Sequence, residues 1–274
     1  MRRVKVNEKL VITATTANSW IYPEVKNWAE NSDELVEDVV RCYEAGAAIA
    51  HVHLPPGGEV ETVNRIRERC DVIIQCGMSS YPIGERDNHF RSQPDMISVI
   101  LNHHAEEFTQ VIVDQLHPLK ELEEYCQKCT ETNIKPEWEV WHTGSYWNLQ
   151  NLIDKRLLDG PHVLTLFFNW PGGTWSPATP EEYYHRVKYM PENCVHTVSI
   201  MGPEQTKIAM LAIANGGNIR VGTEDYPFIR SGKPAKDNGE IVVKFAHIGK
   251  EMGREIADPS EARKILGLDI FRRS

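Results

Sequence analysis

Apolar and polar positions alternate along the chain with two different periods. Short runs rich in valine, isoleucine, leucine and threonine at 10–16, 48–54, 72–77, 110–116, 135–141, 162–169, 195–202 and 218–225 read as strands. Between them the apolar positions return at helical spacing. Within 33–45, Leu35, Val36, Val39, Val40 and Tyr43 form one stripe, with Asn31 or Ser32 placed to cap the first turn and Gly46 to end the last. The same periodicity predicts helices over 60–70, 95–104, 119–132, 146–158, 181–189, 204–214 and 240–256. Eight strands, each followed by a helix, is the count that closes a (β/α)8 barrel. The expected fold class is therefore an α/β TIM barrel occupying 1–274 as a single domain. No Gly-x-Gly-x-x-Gly turn follows the first strand, which weighs against a dinucleotide-binding sheet. The longest irregular stretches, 79–93 and 226–238, leave the C-terminal ends of predicted strands, where barrel enzymes keep their active-site loops.

Composition narrows the class of partner. With 41% hydrophobic and 25% charged residues, the chain is an ordinary globular protein. Acidic residues outnumber basic ones 39 to 30, a net charge of −9 with no Lys/Arg stripe, which argues against nucleic acid or an anionic membrane as partner. The apolar run 163–168 is far too short to span a bilayer. Met1-Arg2-Arg3 leads straight into Asn7-Glu8-Lys9 rather than an apolar signal segment, and six cysteines do not make a disulfide framework in a chain of this length. A reducing, cytoplasmic setting is expected.

The sharpest chemical feature is His51-Val52-His53. Residues two apart in a strand point to one face, so both imidazoles project together, and a divalent metal such as zinc is one way to organise them. Two ordinary hydrogen-bonded core histidines are the other. In the last predicted strand, Arg220 and Glu224 share a face and Asp225 lies at or beyond the strand end. Barrel closure brings the eighth strand beside the first and near the second, so Glu224 could join His51 and His53 in a His2Glu site with an open position; an Arg–Glu pair at the rim is the plain alternative. Glu137 and Glu139 share a face of the 135–141 strand; Glu139, nearer its C-terminal end, could pair with Arg220 and orient Asp225, or both acids could face the helical layer. Lesser features are Cys126 and Cys129, read as small apolar side chains on an outer helix, His103 and His104, read as ending a helix and either solvated or at the pocket rim, and Pro171-Gly172-Gly173, a flexible turn. His162 and His196 lie at strand starts, on the stability face of a barrel.

Taken in order, Glu44-Ala-Gly-Ala-Ala-Ile-Ala-His51-Val-His53, Lys135-Pro-Glu137-Trp-Glu139, Gly216-Gly-Asn-Ile-Arg220-Val-Gly-Thr-Glu224-Asp225 and the tail from Gly253 to Leu268 resemble the β-keto acid cleavage enzyme family over nearly the whole chain. That resemblance implies a zinc-dependent barrel that takes a 3-keto acid and acetyl-CoA to acetoacetate and the acyl-CoA of the shortened acid. It also implies that His51, His53 and Glu224 hold Zn2+, that Asp225 is the catalytic base, and that Arg220 and Glu139 set its position and charge. Asn18, Ser79 and Asn102 are the positions it assigns to substrate, and a homo-oligomer, commonly a tetramer, is its usual assembly. The chain departs from the family at Leu54-Pro55-Pro56, where Arg-Asp usually follows the second histidine, at Thr15-Thr16-Ala17-Asn18, and at Gly77-Met78-Ser79-Ser80. These loops face substrate, so the chemistry is better specified than the substrate. Trp20, Trp141, Trp147, Trp170 and Trp175 stand near strand ends, where they either wall the pocket or pack the core. A metal-dependent hydrolase and a non-catalytic metabolite-binding barrel are the competing readings. The first is disfavoured because His-x-His falls on the second strand rather than the first, the second because Glu139, Arg220, Glu224 and Asp225 are all present.

Overall fold

The computed structural model describes residues 9–108 and 112–271; the Met1-Arg2-Arg3 start and Gln110 and Val111 of the predicted fourth strand lie outside them. In chain order the strands are β1 (Ile12–Thr15), β2 (Ile49–Val52), β3 (Ile73–Cys76), β4 (Met96–Ile100), β5 (His103–Glu107), β6 (Ile112–Leu116), β7 (Lys135–Val140), β8 (His162–Phe168), β9 (Cys194–Ile200), β10 (Asn218–Gly222), β11 (Phe228–Arg230) and β12 (Lys233–Pro234). The helices are α1 (Ser32–Glu44), α2 (Glu59–Arg69), α3 (Asp87–Arg91), α4 (Leu119–Thr132), α5 (Ser145–Asp154), α6 (Pro180–Tyr189), α7 (Gln205–Ala214), α8 (Asn238–Glu251), α9 (Pro259–Ile265) and α10 (Leu268–Phe271). Eight of the strands close a barrel in the order β1-β10-β9-β8-β7-β4-β3-β2, each parallel to its neighbours. This is a (β/α)8 TIM barrel. Asn31 caps α1 by accepting from the Glu34 amide, and Gly46 follows with φ at 108°, as the polar pattern predicts.

The fourth barrel strand corrects the sequence reading. It is Met96–Ile100, inside the segment expected to be a helix, whereas 112–116 pairs antiparallel with His103–Glu107 as a hairpin outside the barrel. The physical reason lies in the burial of β4, which is complete at all five positions. A strand covered on both faces shows no alternation, so its apolar run mimics a buried helix. The total of eight survives because one missed strand offsets one misassigned strand. The irregular stretches also carry structure: α3 lies within 79–93, and the β11–β12 hairpin within 226–238.

Outward barrel residues such as Ile12, Ala50, Ile74, Val99, Leu164 and Ile219 pack on the helices in one continuous core. The C-terminal segment closes the bottom of the barrel, where Ala257, Ala262, Leu266 and Leu268 meet Val11, Ile49, Ile73, Met96 and Val163. At the opposite end Ile100, Phe108, Trp141, Phe167, Trp170 and Met201 form an aromatic cluster. Two fully buried arginines satisfy backbone carbonyls in and just past the barrel strands. Arg86 donates to the carbonyls of Ser98 (2.6 Å) and Gly77 (2.7 Å), and Arg186 to those of Val140 (2.9 Å) and Trp141 (2.8 Å). All six cysteines are free, and burial pushes the Cys126 thiol up to about 12, which suits its reading as a small apolar side chain. No helix among the described residues is long and apolar enough to cross a membrane.

His196 supplies a pH-dependent term in stability. Burial, with a lesser push from Arg254, lowers its pKa from 6.5 to about 4, and its Nε2 lies 3.2 Å from the Tyr183 hydroxyl. Between those two values the unfolded chain binds the proton that the folded chain refuses. Stability from this site is therefore complete above pH 6.5 and lost as the pH falls toward 4, by on the order of 3 kcal/mol. Unfolding midpoints measured from pH 7 to 4 should fall less steeply in His196→Gln than in the wild type; equal slopes would remove the residue from this role.

Candidate metal and acid–base site

The C-terminal ends of β1, β2, β3 and β10 converge on one cluster. Thr15 is in register with His51 on one side and Gly222 on the other, so β1 is the strip that joins the second strand to the last. Past the end of β10 the chain turns, and Glu224 and Asp225 reach back over the barrel mouth. The Thr223 amide donates to the Asn238 carboxamide oxygen (2.7 Å) and the Thr223 hydroxyl to the Ala17 carbonyl (2.7 Å), which pins that turn.

His51, His53 and Glu224 each offer one ligand atom within 4.8 Å of the others. The closest approaches are 3.7 Å from His51 Nε2 to Glu224 Oε2 and 3.6 Å from His53 Nε2 to Glu224 Oε1. Tetrahedral zinc with ligand bonds of ~2.0–2.1 Å needs donor–donor edges of roughly 3.3 Å, close to what these residues already present. Three further observations fit a metal. The His51 Nδ1 lies 2.9 Å from Gln75 Oε1, an acceptor that keeps the proton on Nδ1 and leaves Nε2 facing the cluster. Burial lowers the pKa of His51 to about 3 and that of His53 below its ordinary value, so both rings are neutral donors. Burial is the largest influence on Glu224 and opposes its ionisation, but the Arg220 guanidinium at 2.8 Å and the other groups around the carboxylate together outweigh it and hold the carboxyl at about 2. Thr15 adds a hydroxyl donor to the same carboxylate.

Gly77 makes room for this arrangement. A Cβ there would sit 2.5 Å from His53 Cδ2, 2.6 Å from His53 Nε2 and 2.9 Å from His51 Nε2. The missing side chain is the space the two imidazoles occupy.

Beside this candidate metal cluster lie two buried carboxyl groups, Asp225 and Glu139. Asp225 is fully buried, accepts from Arg220 at 3.0 and 3.2 Å, and takes the Ser199 hydroxyl at 3.0 Å. Burial pushes its carboxyl up to about 7, with Arg220 pulling the other way. Burial and the neighbouring Glu137 likewise raise Glu139 to about 7. Among the described contacts Glu139 makes no ion pair with Arg220; its carboxylate takes the Trp141 indole N–H at 3.1 Å and acts on the guanidinium by charge alone. The carboxylates around Arg220 more than offset burial and keep it charged, and it lies over the Phe167 and Trp170 rings.

These groups open into a cavity of about 270 Å³ lined by His51, His53, Ser79, Glu139, Arg220 and Glu224, with walls from Trp20, Phe108, Trp141, Phe167 and Trp170. Ser79 is among its walls; Asn18 and Asn102 are not. Trp147 and Trp175 are exposed. Sequence reasoning gave no role to Gln75 or Ser199 and saw Thr15 only as part of the substrate-facing stretch 15–18. It also placed His104 on a helix end. The residue stands on β5, buried, with its ring 4.8 Å from that of Trp141 and in the cavity wall. The 171–173 turn is not a free flexible turn but packs on the hairpin: a Cβ on Gly172 would lie 1.8 Å from the Ala105 carbonyl oxygen, and the Glu107 amide donates to Pro171.

A family profile described as beta-keto acid cleavage enzyme matches residues 9–268. The chain is 32% identical to the 3-keto-5-aminohexanoate cleavage enzyme of Acetoanaerobium sticklandii, over 95% of this chain and 99% of that one. It is 24% identical to the 3-dehydrocarnitine:acetyl-CoA trimethylamine transferase of Rhizobium meliloti, over 86% and 88%. Its backbone resembles that of ObcA in binary complex with oxaloacetate, with a TM-score of 0.71 at 15% identity, over 88% of this chain and 67% of that one.

Proposed function

Because this chain belongs to the beta-keto acid cleavage enzyme family, we propose that it transfers the acyl part of a 3-keto acid from carbon to CoA, with acetyl-CoA as the second substrate and zinc as its metal. In the balanced reaction the bond between C2 and C3 of the keto acid breaks and C2 gains the acetyl group, leaving as acetoacetate. The C3 acyl group departs on the CoA sulfur, with no net oxidation. The observation that carries this reading is one cavity holding a neutral-histidine and carboxylate ligand set beside a buried carboxyl raised to about 7.

His51, His53 and Glu224 would hold the metal, which supplies Lewis-acid polarisation of the keto and carboxylate oxygens. Asp225 is the group that takes the C2 proton, since a base with a pKa near the working pH combines adequate ionisation with adequate proton affinity. Ser199 and Arg220 orient that carboxylate from two sides. Arg220 also places a fixed positive charge where enolate charge develops, and the aromatic walls keep bulk water from weakening it. Glu139, held by Trp141, tunes the charge on Arg220. Ser79 is positioned to meet substrate; Asn18 and Asn102, outside the cavity lining, would act through the loops that frame it. A homotetramer is the assembly we expect from the family, to be read from light scattering.

The test is metal analysis combined with a CoA-dependent screen of 3-keto acids bearing anionic, cationic and apolar tails. The expected result is one zinc per chain and acetoacetate formed only when acetyl-CoA is present. Fully metal-loaded protein that forms no acetoacetate from any member would overturn the proposal. Ester or amide hydrolysis without CoA would instead support a hydrolase.

A further inference from the structure

We infer that the β5–β6 hairpin is the specificity element of this cavity, and that Glu106 on it selects keto acids whose tail ends in a cation such as an ammonium group; this rests on the cleavage reading above. The hairpin leaves the end of β4, and its register places Val113 opposite Glu106. Strand alternation then divides its side chains. His103 points outward and pairs with exposed Asp114 at 2.6 Å, whereas His104 and Glu106 point inward and, with Val113, line the cavity.

Three carboxylates line the cavity among the described residues: Glu106, Glu139 and Glu224. Glu224 belongs to the metal-ligand set and Arg220, and Glu139 takes the Trp141 indole. Glu106 is 8% exposed, and the one ionisable partner it has among the described residues is His104, whose Nε2 lies 3.2 Å from Oε1. A carboxylate removed from water with only an imidazole beside it is costly to bury, and a ligand cation compensates it directly. The surrounding rings favour the same charge. Trp20 stacks on Phe108 at 5.9 Å, Phe108 meets Trp170 at 5.8 Å, and His104 packs on Trp141 at 4.8 Å, so the tail would lie among aromatic faces that attract cations.

The other tail chemistries fit less well. Arg220 is the single Arg or Lys among the described lining residues, and Glu224 and Asp225 already engage it, so an anionic tail would face Glu106 with no cation to receive it. An apolar tail would gain contact with the rings but would seal Glu106 away from water with no compensating charge.

Three 3-keto acids of equal length, ending in ammonium, methyl or carboxylate, provide the test, with acetyl-CoA saturating. Wild-type kcat/KM should favour the ammonium tail over methyl by about tenfold or more, as a charge-assisted hydrogen bond predicts. Glu106→Gln should cut that ratio toward one, chiefly by raising KM for the ammonium substrate, and Glu106→Asp should restore part of it. Calorimetric binding of the ammonium-tailed acid without acetyl-CoA should weaken in parallel in Glu106→Gln. Wild-type preference for the methyl or carboxylate tail, or an undiminished ammonium preference in Glu106→Gln, would overturn the assignment while leaving the cleavage reading intact. If Glu106→Gln does not fold, the wild-type ranking of the three tails decides the matter. Acetoacetate from none of the three, in enzyme that carries its metal, would overturn the cleavage reading and this inference together.

Discussion

Gly77→Ala should yield a folded barrel that has lost its metal and, with it, nearly all activity. The added methyl would stand 2.5–2.9 Å from ring atoms of both His51 and His53, closer than real side chains pack. Neither side can yield cheaply. The backbone at this position is drawn toward Arg86, which donates to the Gly77 carbonyl at 2.7 Å, and His51 is tethered to Gln75 at 2.9 Å. The rings must turn away, and the Nε2 atoms no longer face Glu224. Disturbing the shell behind metal ligands typically weakens metal affinity ~10–100-fold, and displacing two ligands at once should reach at least the upper end. Metal content by mass spectrometry, with circular dichroism to confirm the fold, reads the result. A variant with full metal content and wild-type turnover would show that the histidines are not the ligands.

Asp225→Asn should lower kcat by a factor of ~10²–10⁴, the usual contribution of a positioned proton acceptor, while the metal stays bound. The amide oxygen can still accept from Arg220 or Ser199, so the local packing is largely kept, but the group cannot carry a proton. The effect should fall on kcat more than on KM, because accepting a proton stabilises the transition state rather than the bound substrate. Loss of metal in this variant would reassign Asp225 as a support for Glu224. The contrast with Gly77→Ala is the useful comparison, since one removes the metal and the other leaves it in place.

Much of the site was legible because its key residues violate their surroundings. His51 and His53 interrupt an apolar strand, and Arg220, Glu224 and Asp225 crowd charges at the end of another. A pattern argument can see such violations and, with barrel closure, can anticipate that they meet. It could not see the roles of Gln75, Thr15 or Ser199, small or neutral polar side chains whose function depends on which neighbour the fold supplies. Among the described contacts the structure shows no ion pair between Glu139 and Arg220 for a related reason: Trp141, just past the end of β7, donates its indole N–H to Glu139 at 3.1 Å.

The chain by itself determined the general alternation of strand and helix and the identity of the residues that meet in the candidate metal cluster, because each leaves a local mark in residue type or period. Only the folded structure decided which segment is the fourth strand and what the 103–116 region does. A strand buried on both faces has no period to read, and a hairpin that leaves the barrel looks in sequence like one that belongs to it. The cavity wall was settled the same way. His104 and Glu106 line the same cavity as His51, His53 and Glu224 through pairings that no local pattern records.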